Sequence, residues 1–192
     1  MIERDASSNL TLAATELSAR AHYAVVSLLL LAEPSASALE WSLANLSDTI
    51  YRFDLGATLV GAATMRWRDD PSELVELAVG VEHQGHGVGR RIVEWLVAEG
   101  RRRGRRAIEV GTSSTSVGNI VFYQKCGFRP SAVRRDYFWY YRGEKRENGI
   151  PIRDMLVFRY DLVPEPQRDR AQPSGAGRCL DVVSGASPTP PT

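Results

Sequence analysis

The sequence predicts an α/β (α+β) protein with one mixed, mostly antiparallel sheet that contains a central parallel strand pair and is flanked by helices. Two β-rich runs, residues 49–55 and 58–67, flank a turn signal at residues 54–57 and predict an antiparallel hairpin. Between residues 73 and 111 a strand pattern, an amphipathic helix and a second strand follow one another, and such a βαβ unit sets its strands parallel. With 192 residues and 43% hydrophobic content, the chain fits one domain with a single core.

The first third of the chain predicts two helices after a flexible start. Residues 1–20 are small and polar without a clear period, so we expect a flexible N-terminus. Residues 22–32 are apolar on most sides and end at Glu33-Pro34, where proline stops a helix. Ser35 or Ser37 can cap a second helix, in which leucines recur at intervals of four and three.

The apolar run at residues 24–32, followed by small residues, has the outline of a signal sequence. The residues before it carry more acidic than basic charge, and the run is too short to span a bilayer. We therefore expect a cytoplasmic protein. The two cysteines, Cys126 and Cys179, are expected to be reduced, and no Cys/His spacing resembles a metal site.

The middle of the chain is organised around a strand, a glycine-dense turn and a helix. The alternating apolar run at residues 73–79 predicts a strand that ends at Gly80. An amphipathic helix begins near Val88, and Gly104 is expected at the C′ position after its last turn. Residues 107–111 then predict a short buried strand, the parallel partner of the first.

The last third predicts one short helix, two strands and a tail. Residues 117–126 form a helix pattern closed by Gly127. Residues 128–138 and 154–162 are strand candidates joined by a loop that contains Asn148-Gly149. Residues 164–192 are rich in Pro, Ser, Gly and charge, and predict a disordered C-terminal tail.

Charge excludes a general attraction to nucleic acid or membrane, because 24 basic residues face 23 acidic ones and the net charge is +1. Seven arginines between residues 90 and 106 form the one basic cluster, for which a solvated helix face competes with phosphate contacts from Arg90 or Arg91. We expect no nucleic-acid or membrane partner. The sequence leaves open whether the chain forms a homodimer.

The glycine-dense turn QGHGVG, residues 84–89, favours an anion. Glycine at every second position lets the backbone approach a ligand, and the N–H groups of a helix N-terminus favour phosphate. The turn lacks the Lys-Ser ending of a nucleotide P-loop, and a dinucleotide motif would need glycine at Arg90. His86 is interpreted as loop surface rather than as a catalytic group.

Two motifs at matching separation resemble the GCN5-related N-acetyltransferases (GNAT). They are Gln84-x-x-Gly87-x-Gly89 after a strand that ends Leu77-Ala78-Val79, and Tyr123-x-x-x-Gly127-Phe128. The resemblance extends from about residue 28 to 162. The runs at 123–128, 135–138, 147–150 and 153–155 resemble a bacterial subgroup of uncharacterised small acetyltransferases.

The resemblance implies a GNAT-like sheet whose parallel strands splay apart, an acetyltransferase domain at residues 21–163, and acetyl-coenzyme A as the donor, with no metal. The family's loop binds the coenzyme pyrophosphate through backbone N–H groups, and free backbone groups of the preceding strand bind the pantetheine arm. Transferred to this sequence, the coenzyme-binding residues are Leu77, Ala78, Val79, Gln84, Gly85, His86, Gly87, Val88, Gly89, Arg90, Ser114, Asn119 and Tyr123.

The resemblance also implies catalytic roles. Tyr123 matches the family's tyrosine beside the coenzyme sulfur, a general acid, although a core tyrosine would show the same pattern. Glu73 matches the glutamate that some members use as base, and Glu76 occupies a position beside the active centre in others. Because the two carboxylates lie three apart on a strand, we expect them on opposite faces, with Glu73 favoured as the base and water the remaining alternative.

The acceptor is predicted to be a primary amine of a small molecule. Ser114 stands where many relatives have asparagine, and Asn119 is a substitute one helical turn before Tyr123. The aromatic run at residues 137–141 fits either a core or an amine pocket, with Asp136 and Asp154 as candidate carboxylates. A protein lysine or N-terminus as acceptor, and a non-catalytic acyl-coenzyme A sensor, are the competing hypotheses.

Overall fold

The computed structural model describes residues 11–17, 23–141 and 144–163. Within these ranges the helices are α1 (Tyr23–Ala32), α2 (Ala36–Asn45), α3 (Val88–Arg102) and α4 (Val117–Lys125). The strands are β1 (Leu12–Leu17), β2 (Thr49–Leu55), β3 (Thr58–Arg66), β4 (Ser72–Val79), β5 (Ala107–Ser113), β6 (Arg129–Arg134), β7 (Arg146–Glu147), β8 (Ile150–Pro151) and β9 (Met155–Asp161).

Seven of the strands form one mixed sheet in the order β1-β2-β3-β4-β5-β9-β6. The β4–β5 pair is parallel, and the other neighbours in this sheet run antiparallel. The connection between β4 and β5 contains α3, so the predicted βαβ unit and the mixed fold class are confirmed.

The core is divided between the two faces of the sheet. One cluster joins α3 and α4 to the sheet through residues such as Ile92, Leu96, Phe158 and Tyr123. A smaller cluster lies under α1 and α2 and contains Val25, Leu29, Leu39 and Ala62. The helices before and after the first hairpin therefore cover opposite faces.

Several predicted boundaries are confirmed by their local chemistry. Ser35 is the N-cap of α2, and its hydroxyl accepts the N–H of Ala38. Gly104 (φ +68°) and Gly127 (φ +94°) lie just beyond the C-caps of α3 and α4 in the left-handed region that favours glycine.

Four predicted stretches differ from the structure, two in type and two only in their bounds. Residues 12–17, assigned to a flexible start, form edge strand β1, whose small and polar composition fits one exposed face. Strand β5 continues two residues past Gly111, because its pairing with β9 extends to Ser113. Strand β6 ends at Arg134, because Asp136 takes a positive φ of 50° and turns the chain. The loop that follows contains the additional hairpin β7–β8.

The described residues leave out most of both ends of the chain. The tail predicted at residues 164–192, Cys179 and most of residues 1–20 lie outside them, whereas Cys126 is a free, half-buried thiol.

No single described helix has the length and apolarity to cross a membrane. Helices α1 and α2 meet that test only as a pair, and they are bent by 114° relative to each other.

Candidate active site

The parallel strands β4 and β5 separate in the middle of the sheet. Their pairing ends at Leu74 opposite Val110, although β4 continues to Val79 and β5 to Ser113. The N–H of Gly80 donates to Val60 on the β3 side, so alternation along the strand turns the backbone groups of Leu77 and Val79 toward the gap. The gap therefore presents backbone donors and acceptors that no neighbouring strand occupies.

The glycine-dense turn lies at the carboxyl end of β4. The side chain of Gln84 donates to the carbonyl of Val79 (Nε2 to O, 3.0 Å) and holds the turn against the strand. Gly85 (φ +76°) and Gly87 (φ +80°) adopt left-handed conformations, and Gly87 is the N-cap of α3. The side chain of Gln84 thus has a positioning role that the sequence did not predict.

The turn exposes a row of unpaired N–H groups. Among the described residues, no backbone carbonyl accepts the N–H groups of residues 85–90, whereas the N–H of Arg91 donates to Gly87. No side chain caps this end of α3, so the helix dipole is also uncompensated there. His86 is exposed, as expected, and Arg90 pairs with Glu94 (Nε to Oε1, 2.9 Å) on the helix surface. This geometry fits a phosphate group held by backbone N–H groups.

A β-bulge in β4 overturns the expectation that Glu73 and Glu76 lie on opposite faces. Glu73 is opposite Arg66 and Glu76 is opposite Thr64, so Val75 is the extra residue on β4. Because Arg66 and Thr64 are two apart on β3, they share a face, and both glutamates bond to them there. The two carboxylates therefore lie together on the face covered by α1 and α2.

The carboxylate of Glu73 is held by two guanidinium groups. Arg66 forms a short ion pair with it, and Arg134 lies 3.4 Å from it (Nη1 to Oε1). The charge of Glu73 is thus compensated within the protein.

Among the described residues, the hydrogen-bond partners of the Glu76 carboxylate are all neutral. Glu76 is buried, and its two carboxylate oxygens accept the hydroxyls of Ser42 on α2 and Thr64 on β3 in short hydrogen bonds. Burial raises the pKa of Glu76 to about 7, the Ser42 hydroxyl lowers it, and the nearby charges of Glu33 and Glu73 raise it. A carboxylate in this state can accept a proton near neutral pH.

The segment between β6 and β7 brings aromatic side chains to the same face. Tyr141 donates its hydroxyl to Glu33 (Oη to Oε2, 2.9 Å), which joins this segment to the end of α1. Tyr140 packs against Tyr141 with ring centroids 4.8 Å apart. Burial and the negative charge of Glu33 raise the pKa of Tyr140 to about 12, and Glu76 adds to this effect. We call Glu33, Glu76, Tyr140 and Tyr141 the acceptor cluster.

Tyr123 lies on the other face of the sheet. Its ring packs against Phe122, Phe128 and Phe158 at centroid distances of 5.1, 5.8 and 6.4 Å. Burial raises the pKa of its phenol, and among the described residues its hydroxyl has no hydrogen-bond partner. Tyr123 is therefore a core residue with a protonated phenol, and its role as a general acid stays a prediction.

Helix α4 begins at Val117, as predicted. Ser116 is its N-cap, and the exposed Ser114 donates its N–H to the carbonyl of Asp154. The side chain of Asn119 donates to Thr112 at the end of β5 (Nδ2 to Oγ1, 3.2 Å). Glu147 on β7 accepts the hydroxyls of Thr115 and Ser116 at 3.0 and 2.6 Å. The β7–β8 hairpin thus anchors the helix that carries Tyr123.

Sequence reasoning missed Glu33, Ser42 and Thr64. The one available signal was the polar Thr64 within the small apolar run of β3, because a polar group in a buried strand needs a partner. Of the two predicted carboxylates, that of Asp154 accepts the backbone N–H of Asp136 (Oδ1, 2.8 Å).

Two cavities lie outside this arrangement. One of about 320 Å³ is bounded by α4, β6 and β9, and a smaller one of about 130 Å³ lies beside Asp136 and Trp139. In the part of the chain that the structure describes, no three His, Cys, Asp or Glu side chains are grouped to hold a metal ion.

Comparison with known proteins relates this chain to acetyltransferases. The model of the acetyltransferase (GNAT) family matches residues 17–128. The uncharacterised N-acetyltransferase YvbK of Bacillus subtilis is 34% identical over 137 residues, which are 70% of this chain and 87% of YvbK.

Solved structures agree in fold. A Bacillus subtilis acetyltransferase in complex with CoA is 31% identical, with a TM-score of 0.67 and coverage of 81% of this chain and 100% of that one. A GNAT acetyltransferase from Elizabethkingia anophelis with acetyl-CoA bound is 25% identical, with a TM-score of 0.69 and coverage of 78% and 97%.

Proposed function

The chain belongs to the GNAT family and is an acetyl-CoA-dependent acyltransferase, and we propose that its acceptor is a primary amine of a small molecule. The site described above supports this proposal in three respects: how the donor is bound, how protons are moved, and how the acceptor side is enclosed.

The donor is bound mainly by backbone groups. The N–H groups of residues 85–90 at the start of α3 receive the pyrophosphate, and the backbone of Leu77 and Val79 lines the gap along which the pantetheine arm extends. No described backbone group pairs with these N–H groups or with the gap side of Leu77 and Val79. The Val79 carbonyl accepts the side-chain amide of Gln84. The arm leads from the glycine turn toward the point where β4 and β5 separate.

Acetyl transfer forms an N–C bond, breaks a C–S bond and needs two proton movements. The acceptor ammonium must lose a proton before it attacks, and the departing thiolate gains one. We assign the first to Glu76, whose pKa of about 7 makes it a base at neutral pH. Glu73 is less suited, because Arg66 and Arg134 hold its charge.

Tyr123 is assigned the second proton movement. Its raised pKa keeps the phenol protonated at neutral pH, so it can donate to the thiolate. Tyr123 packs on the face covered by α3 and α4, whereas Glu76 bonds to Ser42 of α2 on the other face. In the proposed mechanism both reach one reacting centre through the gap between β4 and β5.

The observation that carries the small-molecule acceptor is the burial of Glu76, the proposed base. The hydrogen bond between Tyr141 and Glu33 holds the segment after β6 against the end of α1. A folded protein would have to displace this segment to bring a lysine to Glu76, whereas a small amine needs a narrower passage.

A thiol-release assay over a panel of small primary amines and lysine peptides tests the proposal. We expect turnover of small amines and a loss of about 100-fold in kcat for Tyr123→Phe. Turnover restricted to peptides would favour a protein acceptor. Tight binding of acetyl-CoA by calorimetry, without turnover of any amine, would indicate a sensor.

A further inference from the structure

Glu33 occupies an unusual position for an acidic residue. It follows α1 directly and accepts hydrogen bonds from the N–H of Ser35 (2.9 Å) and the hydroxyl of Tyr141 (2.9 Å). Glu76, the proposed base, likewise accepts hydroxyl groups from Ser42 and Thr64. Within the described residues, all the hydrogen-bond donors to these two carboxylates are therefore neutral.

Glu73 differs from Glu33 and Glu76 in its partners. Its carboxylate lies on the same face of the sheet but is paired with two guanidinium groups. Glu33 is half-buried and Glu76 is buried, and the negative charge of Glu33 raises the pKa of Glu76, so the two carboxylates repel each other. A cation between them removes this repulsion. The acceptor amine is such a cation, but a single ammonium beside Glu76 compensates only one of the two charges.

A second, independent observation comes from Lys145. Its ammonium lies 3.8 Å from the ring centroid of Tyr141, the residue whose hydroxyl bonds to Glu33. The ring of Tyr140 packs beside it. An ammonium group on a tyrosine face is the arrangement by which aromatic clusters bind amines, and here the chain supplies one of its only two lysines.

We infer that the acceptor carries two cationic groups, one acetylated beside Glu76 and the other held by Glu33 and the ring of Tyr141. The distal cation takes the place that Lys145 occupies in this structure. The inference rests on the proposed function and specifies its substrate class as an aliphatic diamine or a larger polycation with a free primary amine.

The test compares three acceptors that share one reactive amine and one chain length. They are an alkylamine, its analogue with a terminal trimethylammonium group, and its analogue with a terminal carboxylate, each measured at several chain lengths. At the best length we expect kcat/KM for the trimethylammonium compound to exceed that of the alkylamine about tenfold, and the carboxylate to be the poorest.

Two variants act in opposite directions. Glu33→Gln keeps the size and hydrogen-bonding capacity of the side chain but removes its charge, so the preference for the second cation should disappear. Lys145→Gln removes the competing ammonium, so the preference should increase. Glu40→Gln on α2 and Lys125→Gln on α4, both exposed, change the same charges elsewhere and should leave the preference unaltered.

The outcomes separate the inference from the proposed function. Equal turnover of the three acceptors, or a preference that survives Glu33→Gln, overturns the inference while the amine acetyltransferase stands. If no small amine is acetylated, the proposed function fails and the inference fails with it. An unchanged KM for acetyl-CoA shows that the variants are folded. Lys145→Gln should increase the preference for the second cation, and a loss of structure cannot produce such an increase.

Discussion

Replacing Glu76 by glutamine is expected to lower activity and to stabilise the fold at alkaline pH. In the folded chain burial raises the pKa of Glu76 to about 7, whereas the ordinary value for a glutamate, and hence for the unfolded chain, is 4.5. Because the folded-state pKa is the higher, the protonated Glu76 carboxyl contributes to the free energy of unfolding. This contribution is fully present below pH 4.5 and is lost as the pH rises through 7.

The size of this effect follows from the difference between the two pKa values. A difference of about 2.5 pH units corresponds to about 3 kcal/mol of unfolding free energy. Above pH 8 the wild-type protein holds an ionised carboxylate away from water, and the neutral amide of the variant does not. The variant should therefore be more stable by about 3 kcal/mol at pH 9, and the two proteins should differ by less than about 1 kcal/mol at pH 4.5.

Urea unfolding at the two pH values and a pH profile of kcat/KM measure both effects. We expect wild-type kcat/KM to rise with an apparent pKa near 7, and the variant to be at least about 100-fold less active without this inflection. Glu73→Gln is the control: it breaks contacts with Arg66 and Arg134 and should retain the inflection, moved to lower pH because the charge of Glu73 raises the pKa of Glu76. An active Glu76→Gln protein, or one that gains no stability at pH 9, would refute the reasoning.

Three further predictions concern neighbouring parts of the site. Ser42→Ala removes a hydroxyl that favours the ionised form of Glu76, so the acid limb of the pH profile should move to higher pH; a move to lower pH would contradict it. Tyr123→Phe keeps the ring packed against Phe128 and Phe158, so thermal stability should be retained while kcat falls about 100-fold at unchanged KM for acetyl-CoA, and an unchanged kcat would remove Tyr123 from the mechanism. Gly87→Ala places a methyl group in open space but in a left-handed conformation, at a cost of about 1–2 kcal/mol that should appear as a raised KM for acetyl-CoA; Gly118→Ala, equally open and without positive φ, is the matched control.

The order and type of most elements could be predicted because their signals are local. Ser35 caps α2 through its own hydroxyl, and Gly104 and Gly127 end α3 and α4 through their own φ angles. The glycine turn follows the same logic, since its unpaired N–H groups depend on the backbone conformations of Gly85 and Gly87. Edge strand β1 lacked such a signal, because only its pairing with β2 identifies it.

The chemistry of the acidic residues could not be predicted, because it depends on partners distant in sequence. Glu76 receives its hydrogen bonds from Ser42 and Thr64, 34 and 12 residues away, and Glu33 meets Tyr141 across 108 residues. The position of Glu73 in the motif favours it as the base, but the sequence does not indicate that the guanidinium of Arg134, 61 residues later, reaches its carboxylate. No periodicity in β4 records these contacts.

The bulge at Val75 makes that residue dispensable for the placement of Glu76. Val75 is half-buried and is the extra residue between Leu74 and Glu76, so many side chains should be accepted there. Deleting it would give a regular ladder in which Glu76 still lies opposite Thr64, and Leu77 and Val79 would keep their present faces. A saturation library with single-codon deletions should therefore tolerate both substitution and deletion at position 75.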